Sequence, residues 1–358
     1  MSGSRADRVS QRLAERELDA LLVTDLFDLR YLTGFTGSNG MAVVGRDVRR
    51  FITDFRYVEQ AAREVDGFDR ERAPQDFITA LSDGWPGDGR LRLGFDDQQI
   101  SVKTHARLRS ILPGRIQLVA AGGVVAAERA VKDADEIRRI AAAAALCDDI
   151  YGWVREQGIV GRTERSIAVA LEHEMRLRGA TGPSFPSIVA SGERGALPHA
   201  SAGDDVIARD TLVTLDLGVE LDGYCSDCTR TWATGTLPDE LEEAYDLVLR
   251  AQIAALDAVR PGPEGREIDA IARDIIDAAG HGEHFGHGLG HGVGLEFHEA
   301  PRLARTATDS LVTGNVVTVE PGVYLPGIGG VRIEDLVVVT QDGRDVLTRT
   351  TKELVTAD

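Results

Sequence analysis

Two apolar stretches of this chain each carry a pair of carboxylates, and a stretch rich in histidine and glycine lies between them. Leu212-Val-Thr-Leu-Asp216-Leu-Gly-Val-Glu-Leu-Asp-Gly-Tyr-Cys-Ser-Asp227 supplies two aspartates. Val316-Val-Thr-Val-Glu320-Pro-Gly-Val-Tyr-Leu-Pro-Gly-Ile-Gly-Gly-Val-Arg-Ile-Glu334 supplies two glutamates, and His291 falls between the two stretches. A carboxylate buried alone is costly even after relaxation, so such an acid is paired, protonated or bound to a cation. One imidazole cannot neutralise four acids. Two divalent cations can, and a pair of cations sharing ligands makes a hydrolytic site. Solvent-facing acids on edge strands would explain one such stretch. Two of them with a histidine segment between call for more.

Both stretches read as β-hairpins. Asp222-Gly223 is a turn dipeptide, which sets Asp216 and Asp227 across one hairpin from each other. Strand alternation puts Asp216 on a face with Thr214, and Asp227 with Thr229 and Thr231, while Leu215 and Leu217 point the other way. That face is rich in oxygen, as a hard divalent cation requires. In the second hairpin Pro326-Gly-Ile-Gly-Gly330 makes the turn, and Arg332 shares a face with Glu334. Five of the 8 histidines lie between His281 and His298, where every second residue from Gly286 to Gly294 is glycine. That spacing rules out a stable helix and lets backbone approach a ligand closely. His287, His291 and His298 are the candidates here, whereas His281 and His284 read as loop residues. His199, preceded by a proline, is a further candidate outside this segment. Cys225-Ser-Asp-Cys228 has the spacing of a metal or redox pair, but on a strand its thiols face opposite ways, and no second pair exists.

With 358 residues the chain exceeds the usual size of a single core, so two domains are expected. The first alternates helix and strand. Helical patterns cover Val9 to Glu17 and Phe55 to Val65; strands cover Asp19 to Thr24, Met41 to Val44, Arg50 to Asp54, Leu91 to Phe95 and Ile116 to Val119. A turn-rich loop spans Tyr31 to Gly40. This is a small α/β domain over residues 1–123, ending at Gly122-Gly123. Residues 124–358 form an α+β domain: helices from Ala126 to Gly158, Glu164 to Gly179, Glu240 to Val259 and Glu267 to Ala279 are interleaved with the two hairpins. Helices followed by a hairpin occur twice, which points to an internal duplication. Apolar content of 43% and charged content of 27% are ordinary for a globular chain. A net charge of −18 argues against nucleic acid or an anionic membrane as partner. The N-terminus lacks an apolar signal core, no stretch approaches a membrane span, and three cysteines give no disulfide framework. A cytoplasmic location is expected.

The ordered set Asp216, Asp227, His291, Glu320, Glu334 resembles the metallopeptidase family of prolidase, aminopeptidase P and methionine aminopeptidase. The strings that carry the resemblance are Thr214-Leu-Asp-Leu-Gly, Ser226-Asp-Cys-Thr-Arg-Thr, His291-Gly-Val-Gly-Leu-Glu-Phe-His-Glu, Val319-Glu-Pro-Gly-Val-Tyr and Val331-Arg-Ile-Glu-Asp. Thr33-Gly-Phe-Thr-Gly-Ser-Asn-Gly and Thr53-Asp-Phe-Arg-Tyr57 resemble the creatinase-type N-terminal domain of prolidases and aminopeptidases P. Methionine aminopeptidases lack that domain and the Val-Arg-Ile-Glu-Asp string. All five ligand positions are intact, unlike those of creatinase and of the ligandless binding domains of this fold.

The resemblance implies a creatinase-like domain followed by a pita-bread domain, a duplicated α+β unit with metals between its halves. It implies two divalent metal ions per chain, held by Asp216, Asp227, His291, Glu320 and Glu334, with Asp216 and Glu334 bridging or chelating and the other three to the sides. A hydroxide shared by the cations would attack the carbonyl before a proline nitrogen. Glu320 would shuttle the proton, His199 and His298 would polarise the carbonyl, and Arg332 would orient the site. His287 and Tyr324 would line the substrate pocket. Oxygen-rich ligands with one nitrogen favour manganese, with cobalt or zinc as alternatives. An Xaa-Pro bond has no N–H for an ordinary peptidase to grip, and this specificity comes from the resemblance alone. Arg302, in His298-Glu-Ala-Pro-Arg302, suits a dipeptide's free carboxylate, since a guanidinium pairs with it bidentately. The expectation is an Xaa-Pro dipeptidase acting on small peptides, with an Xaa-Pro aminopeptidase acting on longer peptides as the alternative. The family's common dimer makes a homodimer the expected assembly, with the Gly34 to Gly40 loop reaching the partner's site. A non-catalytic peptide-binding protein of this fold would have lost ligands or the carbonyl-polarising histidines.

Overall fold

The computed structural model describes residues 4–73 and 76–357. Two compact units divide the chain, Met1–Arg129 and Ala130–Asp358. In the first, a six-stranded sheet runs in the order Asp69–Arg72, Arg49–Thr53, Gly40–Gly45, Ala20–Val23, Leu91–Phe95, Ile116–Ala120. Gly40–Gly45 is antiparallel to both its neighbours; Ala20–Val23, Leu91–Phe95 and Ile116–Ala120 run parallel. Ala20–Val23 is buried at every residue, which suits a central strand covered on both faces.

Three features of this unit depart from the sequence reading. The first helix starts at Arg5 because Ser4 caps it: its hydroxyl accepts from the Asp7 N–H, and the Asp7 carboxylate accepts from the Ser4 N–H. Tyr31 to Thr33 close a helix, Leu26–Thr33, that starts at the Asp25 cap and ends on Gly34 in the left-handed region. The edge strand Asp69–Arg72 consists of four charged residues, so no apolar alternation announces it. The division between the units also falls after Arg129 rather than at Gly122-Gly123. The helix Val124–Arg129 belongs to the first unit through its last two residues: Glu128 accepts from Arg8 at 2.9 Å and from Arg12, and Arg129 donates to Asp28 at 2.8 Å.

The second unit repeats one pattern. Helices Ala134–Gln157 and Glu164–Leu177 precede a sheet of Ile188–Ser191, Leu212–Leu217 and Cys228–Ala233. Helices Asp239–Ala258 and Gly265–Ala278 precede a sheet built on Gly290–Gly292, Val316–Val319 and Asp335–Val339. Each half has its own core, around Tyr151, Leu171, Leu215 and Trp232 in the first and Tyr245, Ile268, Val317 and Val337 in the second. No helix is long and apolar enough to cross a membrane among the described residues.

Each acid-bearing hairpin is broken into a base and a tip. In the first, Leu212–Leu217 pairs with Cys228–Ala233, while the tip pairs Val219–Leu221 with Tyr224–Cys225. Asp222 and Gly223 close that tip with φ of 50° and 79°, the positive pair of a tight hairpin turn. In the second, Val316–Val319 pairs with Asp335–Val339, and the tip pairs Gly322–Leu325 with Gly329–Arg332. Asp227, Glu320 and Glu334 sit at these breaks, and Asp216 lies inside its strand opposite Thr229. The two halves meet there: the Glu334 N–H donates to the Thr229 carbonyl at 3.1 Å, and Thr231 Oγ1 donates to the Arg332 carbonyl at 2.9 Å.

Candidate active site

Three of the four carboxylates, Asp216, Glu320 and Glu334, accept a side-chain hydrogen bond from a residue of their own or a facing strand. Thr229 Oγ1 donates to Glu334 Oε2 at 2.8 Å and accepts from Arg332 Nε at 3.1 Å. Arg332 Nη2 donates to Asp216 Oδ2 at 2.7 Å. Thr318 Oγ1 donates to Glu320 Oε1 at 3.0 Å and accepts from the His291 N–H at 3.0 Å. Alternate glycines give His291 its place. A Cβ at Gly290 would meet the Thr318 carbonyl oxygen at 2.1 Å, and one at Gly292 would meet that of Ala300 at 2.2 Å. Only glycine lets this short strand lie so close between its neighbours.

The acids converge. Ligand atoms of Asp227, His291 and Glu334 lie within 4.8 Å of one another. His291 Nε2 is 3.2 Å from Glu320 Oε1 and 3.7 Å from Asp227 Oδ2. Asp216, Asp227 and Glu334 are buried, yet Asp216 Oδ1 and Glu334 Oε1 accept no hydrogen bond. Burial and the surrounding acids push Asp227 and Glu334 well above the usual carboxylate range, and burial raises Asp216 despite Arg332. Glu320 goes the other way: burial works against its charge, but its neighbour His291 and the Arg332 guanidinium hold it down at about 2.

This arrangement fits divalent cations. Unpartnered buried oxygens, mutually repelling acids and an imidazole among them describe a shell short of positive charge. The His291 ring adds a further sign. Its Nδ1 lies 3.1 Å from the Gly292 carbonyl, which can only accept, so Nδ1 bears a proton and Nε2, the ligating atom of a neutral ring, is the one turned towards the carboxylates. A cation belongs between them. Asp216, Asp227, His291, Glu320 and Glu334 are the residues that would hold it.

Around the acids lies a relay of polar side chains. Arg332 Nη1 donates to the Tyr324 hydroxyl at 2.9 Å and to the Pro198 carbonyl at 3.1 Å. The Tyr324 hydroxyl lies 2.8 Å from His287 Nε2, and His287 Nδ1 lies 2.8 Å from the Gly288 carbonyl. A carbonyl only accepts, so Nδ1 bears the proton and Tyr324 donates to Nε2. Burial lowers the pKa of His287, consistent with a neutral ring. His298 packs edge-to-face on His291, with ring centroids 3.9 Å apart, and burial followed by the His291 charge pulls it down to about 4.

The remaining sequence candidates are placed as follows. His199 and His298 are exposed; His199 is close enough to influence both His287 and His298, and His298 packs on His291. Arg302 is exposed on the strand Glu299–Leu303, directly opposite His291, so it belongs to a strand and not to a surface loop. His281 and His284 lie apart from the acids with their Nδ1 atoms 3.0 Å from each other. The three cysteines are free and buried.

Other contributors were invisible in the sequence. Asp269 and Arg273 pair at 2.8 Å inside a helix, and Arg273 also donates to the carbonyls of Phe285 and His287, tying down the histidine segment. Lys132 reaches Glu299, beside His298, at 3.1 Å, with both side chains nearly wholly buried. These partners are distant in the chain or look like ordinary helical charges. Only the deep burial, unreadable from local pattern, marks them.

Comparison with known proteins agrees with this geometry. Residues 136–341 match the model of metallopeptidase family M24, and residues 5–131 match that of the creatinase/prolidase N-terminal domain. The peptidase YqhT of Bacillus subtilis (strain 168) is 41% identical over 98% of this chain and 99% of its own. Among solved structures, an Xaa-Pro dipeptidase from Bacillus anthracis superimposes with a TM-score of 0.93 at 38% identity, covering 98% of this chain and 99% of its own. An X-Pro aminopeptidase from Thermotoga maritima MSB8 superimposes with a TM-score of 0.89 at 34% identity, covering 99% of this chain and 100% of its own. With a creatinase-like first domain, a pita-bread second domain and this acid-and-imidazole cluster, the chain belongs to metallopeptidase family M24, the family of prolidase and aminopeptidase P, and is a hydrolase.

Proposed function

We propose that the chain is a dinuclear-metal Xaa-Pro dipeptidase. One observation carries the reading: buried acids from both halves of the second unit gather about His291, with oxygens of Asp216 and Glu334 left without a partner. When bound, two divalent cations would supply an acidified water and a Lewis acid for the scissile carbonyl. Asp227 and Glu334 share a centre with His291, whereas one oxygen of Asp216 is committed to Arg332. Asp227, His291 and Glu334 would hold one cation together, and the free oxygens of Asp216 and Glu334 remain available to a second. The oxygen-rich set favours manganese.

The protein groups divide the rest of the work. Glu320, its Oε1 beside His291 Nε2, takes and returns the proton. His199 and His298 donate hydrogen bonds to the carbonyl oxygen as it gains charge. Arg332 holds Asp216 and the Tyr324 hydroxyl together, and Tyr324 in turn fixes the His287 ring at the pocket wall. Arg302, exposed opposite His291, binds the free carboxylate of a dipeptide. A cytoplasmic homodimer is the assembly we adopt with this reading, to be checked by sedimentation.

The test is a panel of Leu-Pro and Ala-Pro against Xaa-Pro-Xaa tripeptides on manganese-reconstituted protein. Dipeptides are expected to turn over much faster, and Arg302→Ala to raise the dipeptide KM. Equal or better turnover of tripeptides, with KM unmoved in Arg302→Ala, makes the chain an Xaa-Pro aminopeptidase instead.

A further inference from the structure

His199 is exposed, yet the segment that carries it is not loose. It lies between the strand Ile188–Ser191 and the chain around Gly203, and both flanks end on one side chain. Glu164, the first residue of the helix Glu164–Leu177, is fully buried. Its Oε1 accepts from the Ser191 N–H at 2.8 Å and from Ser191 Oγ at 3.0 Å. Its Oε2 accepts from the Gly203 N–H at 3.0 Å and from Arg194 Nε at 2.9 Å. Arg194 lies within the segment and also donates to the Ser201 carbonyl at 2.5 Å. Backbone bonds continue the seam, from the Arg165 N–H to the Gly203 carbonyl at 2.8 Å and from the Glu164 N–H to the Asp205 carbonyl at 3.1 Å. In the middle, Arg332 of the active-site relay holds the Pro198 carbonyl, one residue before His199.

This differs from an ordinary buried ion pair. Three of the four donors to Glu164 are neutral groups, and the one cation, Arg194, is about a third exposed. A carboxylate sealed from water demands such donors, and here they come from both sides of the histidine. One acid thereby shortens the free length of the loop and fixes where its apex sits.

We propose that Glu164 is a positioning residue for His199: a single buried carboxylate fastens Ser191 and Gly203 together and so sets the imidazole at the distance the scissile carbonyl requires. This rests on the reading that His199 polarises that carbonyl. An amide offers one acceptor oxygen where the carboxylate offers two, so Glu164→Gln releases one end of the clamp and leaves the helix start intact. A displacement of roughly 1 Å in a positioned group costs on the order of a hundredfold in rate.

The experiment is steady-state hydrolysis of Leu-Pro by manganese-loaded full-length protein, for Glu164→Gln, His199→Ala and the double variant, with metal content on each and histidine-selective ¹⁵N NMR on the diamagnetic zinc-loaded forms. Glu164→Gln is expected to lower kcat by about ten- to a hundredfold, with KM and bound metal unchanged and the His199 ring signals shifted or broadened. In the His199→Ala background it should cost nothing further. A Glu164→Gln protein with unchanged kcat, or one that loses as much activity with His199 absent as with it present, overturns the proposal. Full activity in His199→Ala would instead sink the carbonyl-polarising reading on which it rests. Should Glu164→Gln fail to fold, Arg194→Ala at the surface removes one donor to the clamp: a smaller kcat loss that vanishes in the His199→Ala background supports the proposal, and an undiminished loss there overturns it.

Discussion

Glu334 and Asp335 are adjacent in the chain, equally buried at 1% exposure, and live in opposite worlds. Glu334 looks into a cluster of acids, keeps one oxygen without a partner, and is driven well above the usual carboxylate range by burial and by Glu320 and Asp216. Asp335 looks the other way. It accepts from Arg230 at 2.9 Å, Lys352 at 2.6 Å, Gln252 at 3.0 Å and Thr348 at 3.1 Å, and despite its burial those two cations hold its pKa down. Glu334 is the last residue of the break and Asp335 the first of the strand Asp335–Val339, so one peptide step crosses from one cluster to the other. The second cluster is closed: both oxygens of its acid are matched from within by cations and polar side chains, and Arg230 spends its remaining donors on the carbonyls of Thr350, Thr351, Thr229 and Glu334. The first is open, and its missing positive charge must come from outside. A buried acid satisfied by the fold is architecture; one left short is held for a ligand.

The largest effect should come from breaking the closed cluster. Asp335→Ala leaves Arg230 and Lys352 facing each other without their acid, and loss of one partner from a buried pair costs about 3–5 kcal/mol. Denaturant unfolding of metal-free protein measures it. Glu334→Gln, one residue away, removes a charge that already repels its neighbours, so metal-free stability should hold or rise while metal-dependent turnover falls to background. If both substitutions destabilise the metal-free protein alike, the contrast drawn here is wrong.

Next in size is the response to metal. A cation that binds only the folded chain stabilises it by about 2.7 kcal/mol at a hundredfold excess over Kd. Manganese should therefore raise the melting temperature of the wild type, chelation should reverse it, and Glu334→Gln should show little of either. Asp335→Asn, where it folds, should keep the metal-induced increment even though its baseline is lower. An increment lost equally from both variants would mean that the two clusters are one.

Much of this contrast could be read from residue order. Four acids on two apolar stretches, with a histidine among alternating glycines, were enough to mark the open cluster, because a ligand set leaves charges that no neighbour in sequence can neutralise. The repeated helix-then-hairpin pattern likewise showed the duplication. What stayed hidden depends on partners far apart in the chain. Lys132 and Glu299, or Glu164 with Gly203, meet only in the folded state, and each looks in sequence like a solvated charge. The breaks in the hairpins were missed for another reason: strict alternation assumes an unbroken ladder, and both ladders stop beside an acid. The charged edge strand Asp69–Arg72 carries no hydrophobic period at all.

The smallest expected effect sharpens the boundary between the clusters. Thr229 stands on it. Its hydroxyl donates to Glu334 and accepts from Arg332 on the open side, while its carbonyl accepts from Arg230 and from the Glu334 N–H on the other. Thr229→Val keeps the shape and the backbone bonds and deletes only the hydroxyl. Groups that orient a metal ligand typically contribute ten- to a hundredfold in metal affinity or activity, roughly 1.4–2.7 kcal/mol. Manganese titration should weaken within that range, while unfolding of the metal-free protein moves by no more than the roughly 1 kcal/mol of a lost buried hydrogen bond. The reverse outcome, unchanged metal affinity with a collapse in stability, would place Thr229 in the closed cluster and make its bond to Glu334 incidental.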